Sequence, residues 1–239
     1  MRDLDGRVTL VTGAGRGIGR SVAELFGRSG SRVMSTARST DAAEATADSI
    51  HASGGIAAAC TLDVTDPLAA DAAVARTVEE FGRLDILINN AGNFVRGRVE
   101  DTTPEQWDEV IGTDLNGVFY CARAAVRQMV DQTPFEGVRG HIIGMNSGAG
   151  IRGFPTGASY SAAKWGMIGL AESLRGEVTD RAIKVTEVVI ASTVRSGMSA
   201  GRDVPKIEAD DFAETVLAVA SFAPSVAISQ IVVGQMVPQ

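Results

Sequence analysis

Apolar and polar positions alternate along the chain in blocks of two kinds. Short runs rich in Val, Ile and Leu are followed by a glycine-rich or polar turn and then by an Ala-rich segment with helical periodicity. The short runs predict seven strands, near residues 7–12, 32–36, 56–61, 84–89, 140–145, 183–190 and 228–233. The periodic segments predict helices near residues 17–28, 41–52, 67–81, 104–110, 112–131, 158–178 and 209–221.

This alternation predicts an α/β fold, because strands that alternate with helices form a parallel sheet with helices on both faces. The 239 residues fit a single doubly wound Rossmann-type domain with a seven-stranded parallel sheet, spanning residues 1–239. Such a sheet binds its ligand at the carboxyl ends of the strands, where the winding reverses. Pro67 after Asp66 is typical of a helix start, and we expect Asp41 and Glu44 to help cap the helix near 41–52.

Composition narrows the possible partners. The net charge of −7 argues against nucleic acid or an anionic membrane, since both favour a basic surface. Cys60 and Cys121 are widely spaced and lack a ligand pattern, so neither a disulfide framework nor a metal site is expected. No run is apolar enough for a signal peptide or a membrane span, and we therefore expect cytoplasmic residence.

A glycine-rich loop follows the first predicted strand. It reads Thr-Gly-Ala-Gly-Arg-Gly-Ile-Gly over residues 12–19 and opens the first predicted helix. Glycines allow backbone N–H groups to approach a pyrophosphate, whose charge is also favoured by a helix N-terminus. The common Gly-x-Gly-x-x-Gly spacing fails from Gly13, because Ile18 stands where the third glycine belongs.

The spacing that does fit, Thr-Gly-x-x-x-Gly-x-Gly, resembles the cofactor loop of the short-chain dehydrogenase/reductase family, and of its 3-oxoacyl reductase-like branch. The resemblance implies a nicotinamide cofactor held by this loop. The implied cofactor contacts within it are Gly13, Gly15, Arg16, Gly17, Ile18 and Gly19.

The end of the second predicted strand indicates NADP(H) rather than NAD(H). Ala37 stands where NAD-using relatives carry Asp, and Arg38 follows it. With Arg16, this gives two arginines for a dianionic 2′-phosphate. In the alternative, Arg38 is a solvated surface charge and Asp41 holds the ribose.

Two further segments match the family. Asp63 follows the third predicted strand and corresponds to the Asp that contacts the adenine ring, with Val64 beside it; otherwise Asp63 is a turn residue. An Asn-Asn-Ala-Gly motif follows the fourth predicted strand. Its residues Asn90, Ala91 and Gly92 are implied cofactor contacts.

The reacting groups are expected on one long helix and the strand before it. Tyr160 and Lys164 are four residues apart and therefore share a helix face. Ser147 precedes Tyr160 by thirteen residues, which is the family's spacing between the catalytic serine and tyrosine. Tyr160 would protonate a carbonyl oxygen, Ser147 would donate a hydrogen bond to it, and Lys164 would favour the phenolate. The resemblance to the family implies that Lys164 also holds the nicotinamide ribose. Otherwise these three residues are an ordinary packed Tyr, surface Lys and turn Ser.

The chain departs from the family at two places. Asp114 occupies the fourth catalytic position, where many relatives have an Asn whose backbone carbonyl helps to hold a water. We expect activity to persist, with a carboxylate near Lys164. After the sixth predicted strand the usual Pro-Gly pair is missing, so either Thr193 or Ser196 could contact the nicotinamide carboxamide.

The sequence thus predicts an NADPH-dependent oxidoreductase acting on a ketone or secondary alcohol. The alternatives are a 3-oxoacyl-acyl-carrier-protein reductase, for which Arg123, Arg127 and Arg139 could form a basic docking patch, and a non-catalytic NADP(H)-sensing protein. By resemblance, a homotetramer or homodimer built on the long helices is expected. The candidates for the substrate rim are Phe94, Val95, Arg96, Ile151, Arg152, Phe154 and Met198.

Overall fold

The seven strands formed by the described residues all belong to one parallel sheet. The computed structural model describes residues 4–196, 204 and 206–236. The strands are β1 (Val8–Val11), β2 (Arg32–Ala37), β3 (Ile56–Thr61), β4 (Ile86–Asn89), β5 (Gly140–Ser147), β6 (Ile183–Ile190) and β7 (Gln230–Val233). Their order across the sheet is β3-β2-β1-β4-β5-β6-β7, with parallel pairing throughout. The predicted α/β fold with a seven-stranded parallel sheet is confirmed.

Helices cover both faces of this sheet. They are α1 (Gly17–Arg28), α2 (Thr40–Ala52), α3 (Pro67–Phe81), α4 (Pro104–Ile111), α5 (Gly117–Asp131), α6 (Ala158–Val178) and α7 (Ala209–Ala220). Phe26 of α1 and Phe212 of α7 belong to one apolar core, which also includes Ile50 of α2. Met129 of α5 and Ala171 of α6 belong to a second core, together with residues of α3. β1 and β4 are buried along their whole length because both faces are covered.

The helix predicted over 112–131 differs from the structure at its start. A π-helical turn spans Gly112–Asn116 and joins α4 to α5 without a break. The sequence predicted separate helices over 104–110 and 112–131, but the backbone stays right-handed helical across the junction, with φ −57° and ψ −46° at Gly112. Such π turns are rare and occur frequently at functional sites. Here the turn contains Asp114, which is completely buried.

The expected cap of α2 is also different. The helix begins at Thr40, and the Ser39 hydroxyl accepts a hydrogen bond from the backbone N–H of Ala42 at 3.4 Å. Asp41 therefore lies in the first turn of α2 rather than at the cap. In the first turn, its negative charge interacts favourably with the helix dipole. Asp66 caps α3 as predicted, accepting a hydrogen bond from Leu68 N–H at 2.8 Å, with Pro67 in the first turn.

The sheet order determines where a ligand can bind. β1 lies between β2 and β4, so the chain winds outward in opposite directions on either side of β1. The loops after β1 and β4 thus diverge and leave a crevice at the carboxyl edge of the sheet. Among the described residues, no helix combines the length and hydropathy needed to cross a lipid bilayer.

Candidate active site

A cavity of about 910 Å³ opens at the carboxyl edge of the sheet. The loops that follow β1 to β6 all contribute to its lining. The predicted cofactor residues and the predicted catalytic residues therefore face the same space.

The glycine loop is tied to the Asn-Asn-Ala-Gly segment. Asn90 donates its side-chain amide to the backbone oxygens of Thr12, at 2.8 Å, and Gly13, at 3.2 Å. In return, the Thr12 hydroxyl accepts hydrogen bonds from the backbone N–H groups of Asn90 and Ala91, each at 2.9 Å. A Cβ on Gly19 would overlap the Asn90 amide and the Gly13 carbonyl, so only glycine permits this packing. The loop is thereby held with its backbone towards the cavity.

Arg16 and Arg38 line the cavity at the end next to α2, and both are exposed. Gly15 also lines the cavity, and a Cβ there would come within 2.8 Å of the Ala42 side chain. Ala37 lines the cavity in place of a carboxylate, as the sequence indicated. This end of the cavity is therefore cationic and suits an anion.

Asp63 also lines the cavity. It is a turn residue as well, which was the alternative interpretation of its role. Its carboxylate accepts hydrogen bonds from the backbone N–H and the hydroxyl of Thr65, at 3.0 and 2.7 Å. These bonds, with a smaller contribution from the charge of Arg38, lower the pKa of Asp63. The neighbouring Val64 lines the same part of the cavity.

Tyr160, Lys164 and Ser147 meet at the opposite end of the cavity. The Lys164 ammonium lies 5.5 Å from the centre of the Tyr160 ring and donates a hydrogen bond to the Met145 backbone oxygen at 3.2 Å. Ser147 is the last residue of β5, and its hydroxyl accepts a hydrogen bond from Ala149 N–H at 3.2 Å. Lys164 is only 4% exposed, so its charge acts in a poorly hydrated environment.

Asp114 places a carboxylate directly against this lysine. Its Oδ2 lies 3.2 Å from Lys164 Nζ, and its Oδ1 accepts a hydrogen bond from Asn93 N–H at 2.6 Å. Burial raises the pKa of Asp114, although Lys164 and the Asn93 N–H partly offset this effect. Burial alone would lower the pKa of Lys164, but the charge of Asp114 and other neighbours outweighs it, and the pKa is raised. The expected carboxylate near Lys164 is therefore present as a buried ion pair.

The segment after β6 brings both nicotinamide candidates to the cavity. Thr193 and Ser196 line it together, and a Cβ on Gly17 would be 3.5 Å from the Ser196 side chain. Ser192 anchors this segment, because its hydroxyl accepts a hydrogen bond from Gln235 N–H at 2.8 Å.

Two of the rim candidates form an aromatic wall beside Tyr160. The Phe94 ring centre is 5.3 Å from that of Tyr160 and 6.0 Å from that of Phe154, and both phenylalanines line the cavity. The other described rim candidates, Val95, Arg96, Ile151 and Arg152, are not among the lining residues. Met198 lies outside the described residues.

Sequence reasoning missed two polar residues near the reacting end. Asn146 lines the cavity next to Ser147, and Glu187 lies behind it, 5% exposed. The available signal was Glu187 itself, a carboxylate at an alternate position of β6 whose other members, Ile183, Val185 and Val189, are apolar.

Comparisons with known proteins agree with this geometry. A family model described as short chain dehydrogenase matches residues 7–206. The chain is 38% identical over 186 residues to the 3-oxoacyl-acyl-carrier-protein reductase FabG of Escherichia coli, covering 78% of this chain and 73% of the relative. It is also 38% identical over 201 residues to the trans-4-hydroxycyclohexanecarboxylate dehydrogenase of Sinomonas cyclohexanicum, covering 82% of this chain and 75% of the relative.

Solved structures show the same architecture. A metagenomic short-chain oxidoreductase in complex with NADP superposes with a TM-score of 0.85 at 33% identity. The match covers 98% of this chain and 99% of that protein.

Proposed function

The chain belongs to the short-chain dehydrogenase family, and on this premise we propose that it is an NADPH-dependent oxidoreductase that interconverts a ketone and a secondary alcohol. The observation that carries the proposal is the convergence of Tyr160, Lys164 and Ser147 on the cavity that the glycine loop also lines. Neither a phosphate loop nor a Tyr-Lys pair alone would indicate this chemistry.

NADP(H) fits the residues at the other end of the cavity. The glycine loop offers backbone N–H groups at the start of α1, which favour a pyrophosphate. Arg16 and Arg38 would hold the 2′-phosphate, and no carboxylate stands at Ala37 to repel it. Asp63 and Val64 would face the adenine, with Thr193 or Ser196 at the nicotinamide carboxamide. When bound, the cofactor supplies or accepts the hydride. The complex of the metagenomic relative with NADP supports this assignment.

The mechanism assigns one task to each reacting side chain. Carbonyl reduction needs a proton at the substrate oxygen, where negative charge develops, and Tyr160 would donate it as general acid. Ser147 would donate a hydrogen bond to the same oxygen and stabilise the developing charge. The buried Lys164 cation favours loss of the phenolic proton and would also bind the nicotinamide ribose. In alcohol oxidation the same groups act in reverse, with Tyr160 as the base.

Asp114 would act on this machinery through Lys164. The carboxylate holds the ammonium in place and compensates part of its positive charge. Asp114 is therefore a positioning residue in this proposal, and Tyr160 remains the group that exchanges the proton.

The substrate end favours a compact apolar ketone. Phe94 and Phe154 offer an aromatic wall beside Tyr160. An alicyclic or aryl ketone could pack against such a wall, burying apolar area. The relative from Sinomonas cyclohexanicum is named for a cyclic hydroxy acid, which supports this class.

A 3-oxoacyl thioester is the second candidate, because the Escherichia coli relative is a 3-oxoacyl-acyl-carrier-protein reductase. Its carrier protein would need a basic surface on this acidic chain. Of the arginines suggested for that role, two share one carboxylate that offsets part of their charge, and the third donates to backbone oxygens. Arg123 and Arg127 lie 3.1 and 3.8 Å from the Asp71 carboxylate. Arg139, the residue before β5, donates hydrogen bonds to the backbone oxygens of Val130 and Gln132 and does not line the cavity. This engagement weakens the second candidate.

NADPH oxidation measured against a panel of substrates tests the proposal. The panel contains cyclohexanone-type and aryl ketones, acetoacetyl coenzyme A and an acetoacetyl carrier protein, with a no-substrate control. The proposal is supported if a simple ketone of the panel gives a higher kcat/KM than either acetoacetyl thioester. A preference for the carrier-bound thioester supports the second candidate. Binding of NADPH without turnover of any carbonyl would instead indicate a non-catalytic NADP(H)-sensing protein.

Assembly and location stay predictions. Phe119 of α5 and Trp165 of α6 are 44% and 53% exposed, which is consistent with a homodimer or homotetramer built on these helices. Cytoplasmic residence rests on the sequence alone.

A further inference from the structure

A buried carboxylate lies behind the reacting groups and has no part in the mechanism above. Glu187, in the middle of β6, is 5% exposed. Its Oε2 accepts a hydrogen bond from the side-chain amide of Asn146 at 2.7 Å. Asn146 belongs to β5, is 1% exposed, and immediately precedes Ser147.

Asn146 contacts the backbone of two proposed catalytic residues. Its amide nitrogen also donates to the Lys164 backbone oxygen at 3.2 Å. Its amide oxygen accepts a hydrogen bond from the Ser147 N–H at 2.7 Å. One side chain thus links the end of β5 to the helix that carries Tyr160 and Lys164.

Two glycines provide the space for this pair. Gly144 lies opposite Glu187 in the β5–β6 register, and a Cβ there would overlap the Glu187 carboxylate. A Cβ on Gly150 would lie 2.6 Å from the Asn146 amide oxygen and 2.7 Å from the Lys164 backbone oxygen. Side chains at either position would displace the pair, so the surrounding backbone is built around it.

The carboxylate is costly to bury. Burial raises the pKa of Glu187 to about 7, even though the Asn146 amide and the charges of Lys164 and Arg175 oppose this effect. An apolar side chain at this position would pack between β5 and β6 with a smaller loss of folding free energy, because buried charges are commonly less stabilising than apolar replacements. What an apolar residue could not provide is an acceptor that orients the Asn146 amide.

We propose that Glu187 is a positioning residue that acts through Asn146 to hold Ser147 and Lys164 in their reactive placement. The inference rests on the proposed carbonyl-reducing function of the same site. Glu187 orients the Asn146 amide, and Asn146 in turn binds the backbone of Ser147 and of Lys164. The positions of these two backbones determine where the Ser147 hydroxyl and the Lys164 ammonium lie. Small displacements of reacting groups are enough to reduce turnover strongly.

A double-mutant cycle on the full-length enzyme tests the proposal. Glu187→Val, Asn146→Ala and the double variant are compared with the parent for kcat, KM and NADPH affinity. Glu187→Val is expected to lower kcat about 10- to 100-fold while the dissociation constant of NADPH changes by less than about twofold. The double variant should be no slower than the slower single variant, because both changes break one chain of contacts.

Two further variants separate positioning from general loss of stability. Glu187→Gln keeps an oxygen acceptor for Asn146 and should retain most of the parent kcat. Thr186→Val removes the adjacent β6 hydroxyl, which contacts His141 at 2.8 Å, and should lower stability while sparing kcat. Additive losses in the cycle, or a Glu187→Gln variant as slow as Glu187→Val, would overturn the proposal while leaving the proposed function intact. A parent enzyme that reduces no carbonyl would overturn both.

Discussion

The Asp114 carboxylate lies 3.2 Å from the Lys164 ammonium, and both side chains are buried. An amide at position 114 could accept a hydrogen bond from the lysine but could not compensate its charge. Lys164 in turn lies 5.5 Å from the centre of the Tyr160 ring. The carboxylate therefore reduces the positive potential that the tyrosine experiences, and this chain differs electrostatically from relatives with an Asn at this position.

Replacing Asp114 by Asn should shift the pH profile of the enzyme. Removing the negative charge leaves the Lys164 ammonium uncompensated next to the Tyr160 ring, which favours transfer of a proton away from the phenol oxygen. We expect the rising limb of kcat/KM for alcohol oxidation to move to lower pH. Asp108→Asn, which removes an exposed carboxylate lining the same cavity, is the matched control and should leave the profile in place. If the pH profiles of the parent and Asp114→Asn superimpose, the Asp114 carboxylate has no electrostatic effect on the reaction.

Replacing Arg38 by Ala should reduce the preference for NADPH. The proposed charge-assisted contact with the 2′-phosphate is worth about 1.5–3 kcal/mol, which corresponds to about a 10- to 150-fold rise in KM for NADPH. KM for NADH should hardly change, since NADH has no 2′-phosphate. Arg20→Ala is the control, because Arg20 pairs with Glu24 on α1 and does not line the cavity. Equal changes in KM for the two cofactors would show that Arg38 does not bind this phosphate.

Two glycine substitutions should affect different properties, cofactor affinity for Gly19 and stability for Gly176. Gly19→Ala introduces a Cβ against the Asn90 amide and the Gly13 carbonyl, so the loop must shift and NADPH affinity should fall. Gly176→Ala adds a methyl group to an exposed position of α6 with nothing within 4 Å. It should raise the free energy of unfolding by up to about 1 kcal/mol. Isothermal titration with NADPH and urea unfolding check both. Unchanged affinity in Gly19→Ala would show that the loop is not the phosphate site.

The stability of the protein should depend on pH through Glu187. Its pKa is raised from the usual 4.5 to about 7 on folding, so between these values the folded state binds a proton that the unfolded state has lost. The stability that comes from binding this proton in the folded state is fully present below pH 4.5 and is lost as pH rises through about 7. At about 1.4 kcal/mol per pKa unit, the loss is about 3 kcal/mol.

The Glu187→Gln variant does not titrate and should escape this loss. The free energy of unfolding of Glu187→Gln relative to the parent should therefore increase between pH 4.5 and 7.5. Urea unfolding across this range measures it, with the exposed Glu172→Gln as control. A difference that stays constant with pH would contradict the buried placement of the Glu187 carboxylate.

The sheet was predictable because each of its strands and helices carries its own periodic signal. β3 and β6 have the bounds that the sequence indicated, as do α1, α3 and α6. The glycine loop and the Tyr-Lys spacing were also readable, since their residue types and distances along the chain reflect local geometry. A prediction from local pattern thus placed most of the cavity lining.

What the sequence did not indicate depends on tertiary packing. Two separate helices were predicted over 104–110 and 112–131, but the structure joins them through a π turn that buries Asp114. Val95 and Arg96 share a loop with Phe94, yet only Phe94 lines the cavity, because loop side chains have no period to follow. Asn146 and Glu187 are 41 residues apart and meet only through the β5–β6 pairing.

The central claim is that Tyr160 exchanges the proton during carbonyl reduction, and the Tyr160→Phe variant tests it most directly. Ketone-dependent NADPH oxidation should fall by about 10²- to 10⁴-fold, while NADPH binding measured by titration stays close to that of the parent. Tyr120→Phe is the control, since Tyr120 is the only other tyrosine, lies on α5 and does not line the cavity. Tyr160→Phe turnover equal to that of the parent would contradict the account.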